Sequence, residues 1–448
     1  MGKLFGTDGV RGVANKEVTG RLALKIGRAA GYYLKNFNRE ENPVILVGKD
    51  TRLSGDMLES ALIGGITSTG VHVYRLGVIP TPGLAYLTGK KKAVGGIMIS
   101  ASHNPIEDNG LKIFDSRGYK LSDDQEEKLE ELIFNEQDTL SNLGPLEIGS
   151  KKSRENLREE YINFLANIPR TDFSHFKVVL DCAHGAPYYT APRVLKKLGV
   201  KTVVINGEPD GRKINVDCGS TAPEKIKDVV LDHEADLGIA HDGDGDRVLL
   251  VDHKGQIVDG DKIMAVLALD MIDRDSLKDN VLVTTRYSNL GLREVIEENE
   301  GSVKIVKNGD KYVLKEMLNN DYNLGGEKSG HVISLDYNTT GDGLLTALRV
   351  MKVMDQRDQK LHQLAGCMKE WPQERANVKV EEKEGWSDNE KIQNMISQAQ
   401  KELGDEARVF IRASGTEPVI RILLEGREPE KLSFWEEKLS AVIQEELG

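Results

Sequence analysis

Residues 42–66 read "NPVILVGKDTRLSGDMLESALIGGI". The apolar run over 44–47 is a buried strand, because no polar residue interrupts it. "GKDTR" ends the run with charge and a glycine. From Leu53 onward the apolar residues recur at helical spacing. A strand that hands directly to a helix is the building block of α/β architecture. Further along, "VHVYRL" (71–76) and "VGGIMISAS" (94–102) are strands of the same unit, and the polar stretch "NEQDTLSNLGPLEIGSKKS" (135–153) closes it.

The pattern returns twice. A second unit opens with "FKVVLDCAHG" (176–185) and closes with "ADLGIAHDGDGDRVLLVD" (235–252). A third opens with "NVLVTTRYSNLGL" (280–292) and carries "NLGGEKSGHVI" (323–333). Ligands of open α/β sheets collect beyond the carboxyl ends of strands, so these polar tips are where a site should be sought. After "GCMKEWPQERANVKV" (366–380) the pattern changes to a helix, two strands around the loop "RASGTEP" (412–418), and a terminal helix. The expected organisation is three similar α/β domains, 1–150, 151–254 and 255–368, with a smaller α+β domain over 369–448.

Size and composition agree. A chain of 448 residues exceeds a single core. With 39% hydrophobic and 29% charged residues it reads as soluble and globular, and no apolar run approaches the ~18 residues of a membrane span. Three scattered cysteines form neither a disulfide framework nor a zinc pattern. The expected compartment is cytoplasmic. A net charge of −12 argues against a nucleic-acid partner but leaves room for a small anion in a locally positive cleft. Oligomeric state is left open, a homodimer being one option.

"AHDGDGDRV" (240–248) is the strongest local signal. Asp242, Asp244 and Asp246 alternate with glycines that let the backbone curl, so three carboxylates can converge. Crowded carboxylates repel unless a cation neutralises them, and all-oxygen ligands favour Mg²⁺, Ca²⁺ or Mn²⁺. A calcium EF-hand is excluded, because Arg247 and His253 stand where its loop requires Gly and Glu. The bland alternative is an Asp-Gly hairpin turn.

Other motifs are weaker singly. In "SASHNP" (100–105) two serines and a histidine end a strand, which suits either a turn or a nucleophile. "RASGTEP" offers Arg412, Ser414, Gly415 and Thr416, an inventory that suits a phosphate, though it lacks the Gly-Lys-Ser/Thr of a nucleotide loop. "GGEKSGH" (325–331) sets Glu327 and Ser329 among glycines, able to meet sugar hydroxyls or an amine. The N-terminal "KLFGTDGVRGVAN" (3–15), with Arg11, holds enough apolar residues to be packed. Lys112 follows in "NGLKI" (109–113).

Taken in order, "GTDGVRG", "SASHNP", "DGDGDR", "GGEKSGH" and "RASGTEP" resemble the α-D-phosphohexomutases, most closely their bacterial phosphoglucosamine mutase branch. Lys328 stands where many of that branch carry Gln. The resemblance implies four domains around a central cleft. It picks Ser102 over Ser100 as a serine phosphorylated in the resting enzyme. It also implies one Mg²⁺ held by Asp242, Asp244 and Asp246 with the phosphoserine, and sugar contacts from Glu327 and Ser329. A phosphate grip is implied at Arg412, Ser414, Gly415 and Thr416, to which Arg421 is added.

The expected reaction interconverts glucosamine 6-phosphate and glucosamine 1-phosphate through a 1,6-bisphosphate, which would also prime the serine. Mannose or glucose phosphates are the alternative substrates, and a serine-nucleophile phosphatase or a sugar-phosphate-binding regulator are more distant rivals. Charge on the transferred group needs cations around it, for which Arg11, Lys112 and Arg247 are candidates. Proton transfer needs an acid and a base, for which His103, Lys112 and His331 are candidates.

Overall fold

The computed structural model describes residues 4–6, 8–134, 143–404, 407–414 and 418–448. The chain forms two compact units, one of Met1–Ser288 with Ile296–Cys367, the other of Asn289–Val295 with Met368–Gly448. Among the described residues three sheets occupy the first unit and one the second.

The first sheet contains β1 (Val10–Val13), β2 (Val44–Lys49), β3 (His72–Val78), β4 (Gly95–Ile99), β5 (Asp108–Phe114) and β6 (Lys151–Ser153), in the order β1-β5-β4-β2-β3-β6. β2 runs parallel to β3 and β4, while β5 is antiparallel to β1 and β4. Successive residues of β2 feed opposite cores. Ile45 and Val47 pack with Ile26, Leu58 and Leu62 from the helices Gly20–Asn38 and Gly55–Thr67. Leu46 packs with Leu84 and Met98 on the side of the helix Thr81–Lys90. A strand covered on both faces has no polar side to show, which is why 44–47 reads as an unbroken apolar run. The first two helices approach closely because Gly27 and Gly65 lack side chains: a Cβ would stand 2.3 Å from Leu62 O or 2.2 Å from Leu24 O.

The second sheet holds β7 (Lys177–Asp181), β8 (Lys201–Ile205), β9 (Leu237–His241), β10 (Val248–Asp252) and β11 (Ile257–Val258), in the order β11-β10-β9-β7-β8. β7 is parallel to β8 and β9, and β9 turns back antiparallel into β10. The third holds β12 (Val281–Thr285), β13 (Ser302–Val306), β14 (Leu324–Gly326) and β15 (Val332–Ser334), ordered β13-β12-β14-β15, with β14 and β15 an antiparallel hairpin. The second unit carries β16 (Gln373–Lys379), β17 (Arg408–Ala413) and β18 (Val419–Glu425), ordered β16-β18-β17 and antiparallel throughout. Ile420 and Leu424 of β18 pack with Ile392 and Trp435 from its two long helices, as expected of an α+β domain.

The edges differ in detail from the expected divisions. β6 pairs with β3 beyond residue 150, β11 pairs with β10 beyond 254, and Asn289–Val295 belongs to the second unit. Short edge segments carry little apolar pattern of their own. Their place is decided by the strand or core they meet.

Candidate active site

The carboxyl ends of β4 and β9 lie together. β4 runs into Ser100 and Ser102, and the turn from β9 to β10 holds Asp242, Asp244 and Asp246. Ser102 Oγ donates to Asp242 Oδ2 at 2.7 Å, and His103 Nδ1 lies 3.2 Å from the same hydroxyl. One oxygen from each aspartate falls within 4.8 Å of the others, and all three side chains are buried. The Asp-Gly segment is therefore a hairpin turn and a convergent carboxylate cluster at once.

Two serines end β4 for different reasons. Ser100 Oγ donates to Asp50 Oδ2 at 2.7 Å and accepts the Ser102 N–H at 2.9 Å, so it is spent on the backbone. Ser102 sits at φ +53, a left-handed conformation that a side-chain residue rarely adopts. Arg52 holds it there. Its buried guanidinium donates to the carbonyls of Ser102 (3.0 Å), Asn104 (2.7 Å), Asp108 (2.9 Å) and Pro105, and its Nε to Asp50 at 3.1 Å.

Lys112 reaches the trio from β5, with Nζ 2.7 Å from Asp244 Oδ2, 3.2 Å from Asp246 Oδ2 and 3.1 Å from Asp8. Burial opposes its charge, but Asp244, Asp246 and Asp8 outweigh that and hold it as an ammonium well above the usual lysine range. The acids divide unevenly. Burial first, then repulsion from Asp246 and Asp244, pushes Asp242 well above the usual carboxylate range. For Asp246, Lys112 and His331 overcome the burial and bring it well below. Thr81 completes the surround by donating to Asp244 Oδ2 at 2.5 Å.

The other expected residues mostly gather here. Arg11 donates to Asp8, and to Asn104 Oδ1 at 3.1 Å. The Arg247 N–H donates to Asp242 Oδ1 at 3.2 Å, and its guanidinium Nε is 3.9 Å from Asp246 Oδ1. His103 is kept neutral, its pKa pulled to about 4 by burial and then by Arg247 and Arg11. His331 Nδ1 lies 3.5 Å from Asp246, and Nε2 lies 3.6 Å from Asp310. Gly341 N–H donates to Nε2 at 3.2 Å, so the neutral ring carries its proton on Nδ1. Burial disfavours the charged ring, yet Asp246 and Asp310 raise its pKa overall, and protonating Nε2 would sacrifice the Gly341 bond for Asp310.

The loop between β14 and β15 holds Glu327, which accepts the Gly309 N–H at 3.0 Å, and Ser329, whose buried Oγ has no hydrogen-bond partner among the described residues. Lys328 instead points to Asp259, 3.3 Å away. Gly330 closes this loop at φ +89, where a Cβ would stand 2.1 Å from Val248 O. Gly330→Ala is therefore expected to destabilise the protein by about 2–4 kcal/mol. An unchanged Tm in calorimetry would contradict that.

In the second unit Arg412 and Arg421 are directly paired across β17 and β18. Ser414 N donates to Val419 O at 2.9 Å, and Lys383 Nζ to Ser414 O, also at 2.9 Å. Gly415 and Thr416 lie outside the described residues.

Several residues here escaped the sequence reading: Asp8, Asp50, Arg52, Thr81 and Lys120, which bridges Asp8 and Asp310. Asp50 and Arg52 stand at the tip of β2, so the rule that located the other tips would have reached them. Asp8 lies inside the "GTDGVRG" stretch. Thr81 begins a helix and carried no signal.

The donor set fits a hard divalent cation. Among the described residues Asp244 Oδ1 is buried with no hydrogen-bond partner, and Asp246 Oδ1 has only the long contacts to His331 (3.5 Å) and Arg247 (3.9 Å), leaving all-oxygen valence to be met.

The sequence matches four domains of one family: phosphoglucomutase/phosphomannomutase alpha/beta/alpha domain I over residues 2–140, domain II over 159–255, domain III over 259–371 and the C-terminal domain over 376–441. The chain belongs to this family. Among its relatives is a phosphoglucosamine mutase of Caldanaerobacter subterraneus subsp. tengcongensis, 48% identical with all of both chains covered. One of Macrococcus caseolyticus is 47% identical, again over the whole of both. In fold the chain is similar to a crystal structure of a phosphoglucomutase/phosphomannomutase family protein from Burkholderia thailandensis. That match has a TM-score of 0.82 at 24% identity and covers 99% of this chain and 97% of the other.

Proposed function

We propose that this protein is a phosphoglucosamine mutase, interconverting glucosamine 6-phosphate and glucosamine 1-phosphate with Ser102 as the phosphate carrier. The observation that supports it most is the 2.7 Å contact between Ser102 Oγ and Asp242, which joins a hydroxyl from one α/β layer to the acidic trio of the next. Choice of the amino sugar follows the full-length relatives of that name. Glu327 suits it chemically, since a carboxylate can meet the ammonium of an amino sugar.

O6 and O1 lie at opposite ends of the hexose, so direct displacement between them is geometrically hard. A phosphoserine removes the difficulty. The sugar O1 attacks phosphorus, the P–O bond to Ser102 breaks, the O1 proton passes to a base, and Ser102 Oγ regains a proton. The 1,6-bisphosphate then turns around, and Ser102 takes the phosphate from O6 by the same steps reversed. Arg11, Lys112 and Arg247 supply positive charge around the group in transfer. Lys112, held as an ammonium by three carboxylates, is suited to that duty, which leaves proton traffic to His103 and His331. Asp242, Asp244 and Asp246 would hold Mg²⁺, with Ser102 joining through its phosphate, and the bound ion would neutralise charge on that group.

Ser329 and Glu327 would meet the sugar. Arg412, Ser414, Gly415, Thr416 and Arg421 would grip the phosphate not being transferred. Glucosamine 1,6-bisphosphate primes Ser102, and the enzyme works in the cytoplasm on small sugar phosphates. Among the described residues no helix is long and apolar enough to cross a membrane.

Substrate choice is tested by kcat/KM. Glucosamine 6-phosphate should exceed glucose and mannose 6-phosphates by at least about tenfold, the scale on which a site distinguishes one polar substituent. A preference for mannose phosphate would overturn the assignment. Net release of inorganic phosphate would point instead to a phosphatase.

A further inference from the structure

Asn215 lies in the long connection from β8 to β9, far in sequence from every residue assigned above. Its Nδ2 donates to the Ser102 carbonyl oxygen at 2.8 Å. Arg52 donates to the same oxygen at 3.0 Å, so that carbonyl is gripped from the first α/β layer and from the second. Asn215 is itself framed firmly. Its N–H donates to Ala183 O at 3.1 Å, and the buried Asp181 carboxylate at the tip of β7 accepts the N–H groups of Ala183 and Gly219, both at 2.8 Å. Gly243 of the acidic loop makes room for it, since a Cβ there would stand 2.8 Å from Asn215 Nδ2. The residue also sits at φ +61, a conformation that asparagine tolerates better than most side chains.

We infer that Asn215 is a positioning residue for phosphoryl transfer: by holding the Ser102 carbonyl it keeps the serine left-handed, with Oγ aimed at the acidic trio. The bond is the described side-chain link from this connection to the serine itself. It would register the carrier against the metal-bearing loop as the two layers flex. The inference rests on Ser102 being the phosphate carrier.

Asn215→Gly separates the two properties of the residue. Glycine keeps φ +61 at no steric cost, while the amide donor is lost. Purified wild type and variant are charged with glucosamine 1,6-bisphosphate, phosphate on Ser102 is followed by intact mass, and single-turnover transfer, kcat, KM and Tm are measured. The variant should transfer phosphate to and from Ser102 about tenfold more slowly, the loss of one hydrogen bond in a buried site. KM should stay within about twofold, and Tm within about 2 °C. Asn215→Asp, which sets a carboxylate against the carbonyl, should be slower still. A wild type that carries no phosphate on Ser102 after this treatment overturns the carrier assignment itself. A phosphorylated wild type matched in rate by Asn215→Gly overturns the role of Asn215 alone. A rate loss that appears only with a lowered Tm and raised KM overturns it equally.

Discussion

Ser102→Ala should lose turnover by about 10⁴-fold or more, because removal of a covalent nucleophile leaves only binding and charge stabilisation behind. Intact mass should show phosphate on the wild type, mapped to Ser102, and none on the variant. Substrate binding should survive, since Glu327, Ser329 and the arginines are untouched. Alanine at φ +53 is strained much as serine is but loses the bond to Asp242, so Tm should fall modestly, and Ser102→Gly should recover part of that loss by relieving the strain while remaining inactive. Ser100→Ala is a useful contrast. It removes the bonds to Asp50 and to the Ser102 N–H, so it should slow turnover and lower Tm while still accepting phosphate. Retained turnover in Ser102→Ala, or phosphate mapped to Ser100, would overturn the carrier assignment.

The second large effect has opposite signs with and without a divalent cation. Burial and then Asp246 and Asp244 raise the pKa of Asp242 in the folded protein. A carboxyl so raised makes the native state bind more protons than the unfolded chain, so stability falls as pH climbs from the unfolded pKa toward the folded one. At neutral pH without metal, the wild type therefore bears the cost of burying Asp242 beside Asp246 and Asp244. Asp242→Asn relieves it and keeps the local bonds: the amide oxygen accepts the Arg247 N–H, and the Ser102 hydroxyl rotates to accept from the amide nitrogen. In chelator the variant should melt at least about 2 °C above wild type. With Mg²⁺ the order should reverse, and turnover should fall by roughly 10³-fold, the scale of one lost electrostatic partner at a phosphoryl centre. Differential scanning fluorimetry across Mg²⁺ concentrations reads both signs. Equal melting of the two proteins in chelator would show that the trio is not held in repulsion, and full activity of the variant would remove the metal from the proposal.

The residues legible in the chain share a cause. Apolar runs such as 44–47 announce strands because both faces of β2 are covered. Asp242, Asp244 and Asp246 announce a carboxylate cluster because a five-residue span already contains the whole of it. Ser102 stands at a strand tip, where open sheets expose their ends. Local spacing was enough for each.

What the chain left hidden depends on contacts between residues far apart in sequence. Arg52 acts on Ser102 across 50 positions and Asn215 across 113; the strand-tip rule reaches Arg52 but not its partner, and Asn215 carries no local pattern that distinguishes it from a solvated loop residue. The choice of Ser102 came from the resemblance, and that Ser100 is tied to Asp50 is visible only in the fold. Sequence by itself determined the α/β units, the acidic trio and the order of the motifs, because helix and strand periods and short turns are local physics. Tertiary structure alone decided the left-handed serine, its two-sided carbonyl grip and the unequal acidity of the three aspartates, because burial and charge at those atoms come from layers that meet only after the chain has packed.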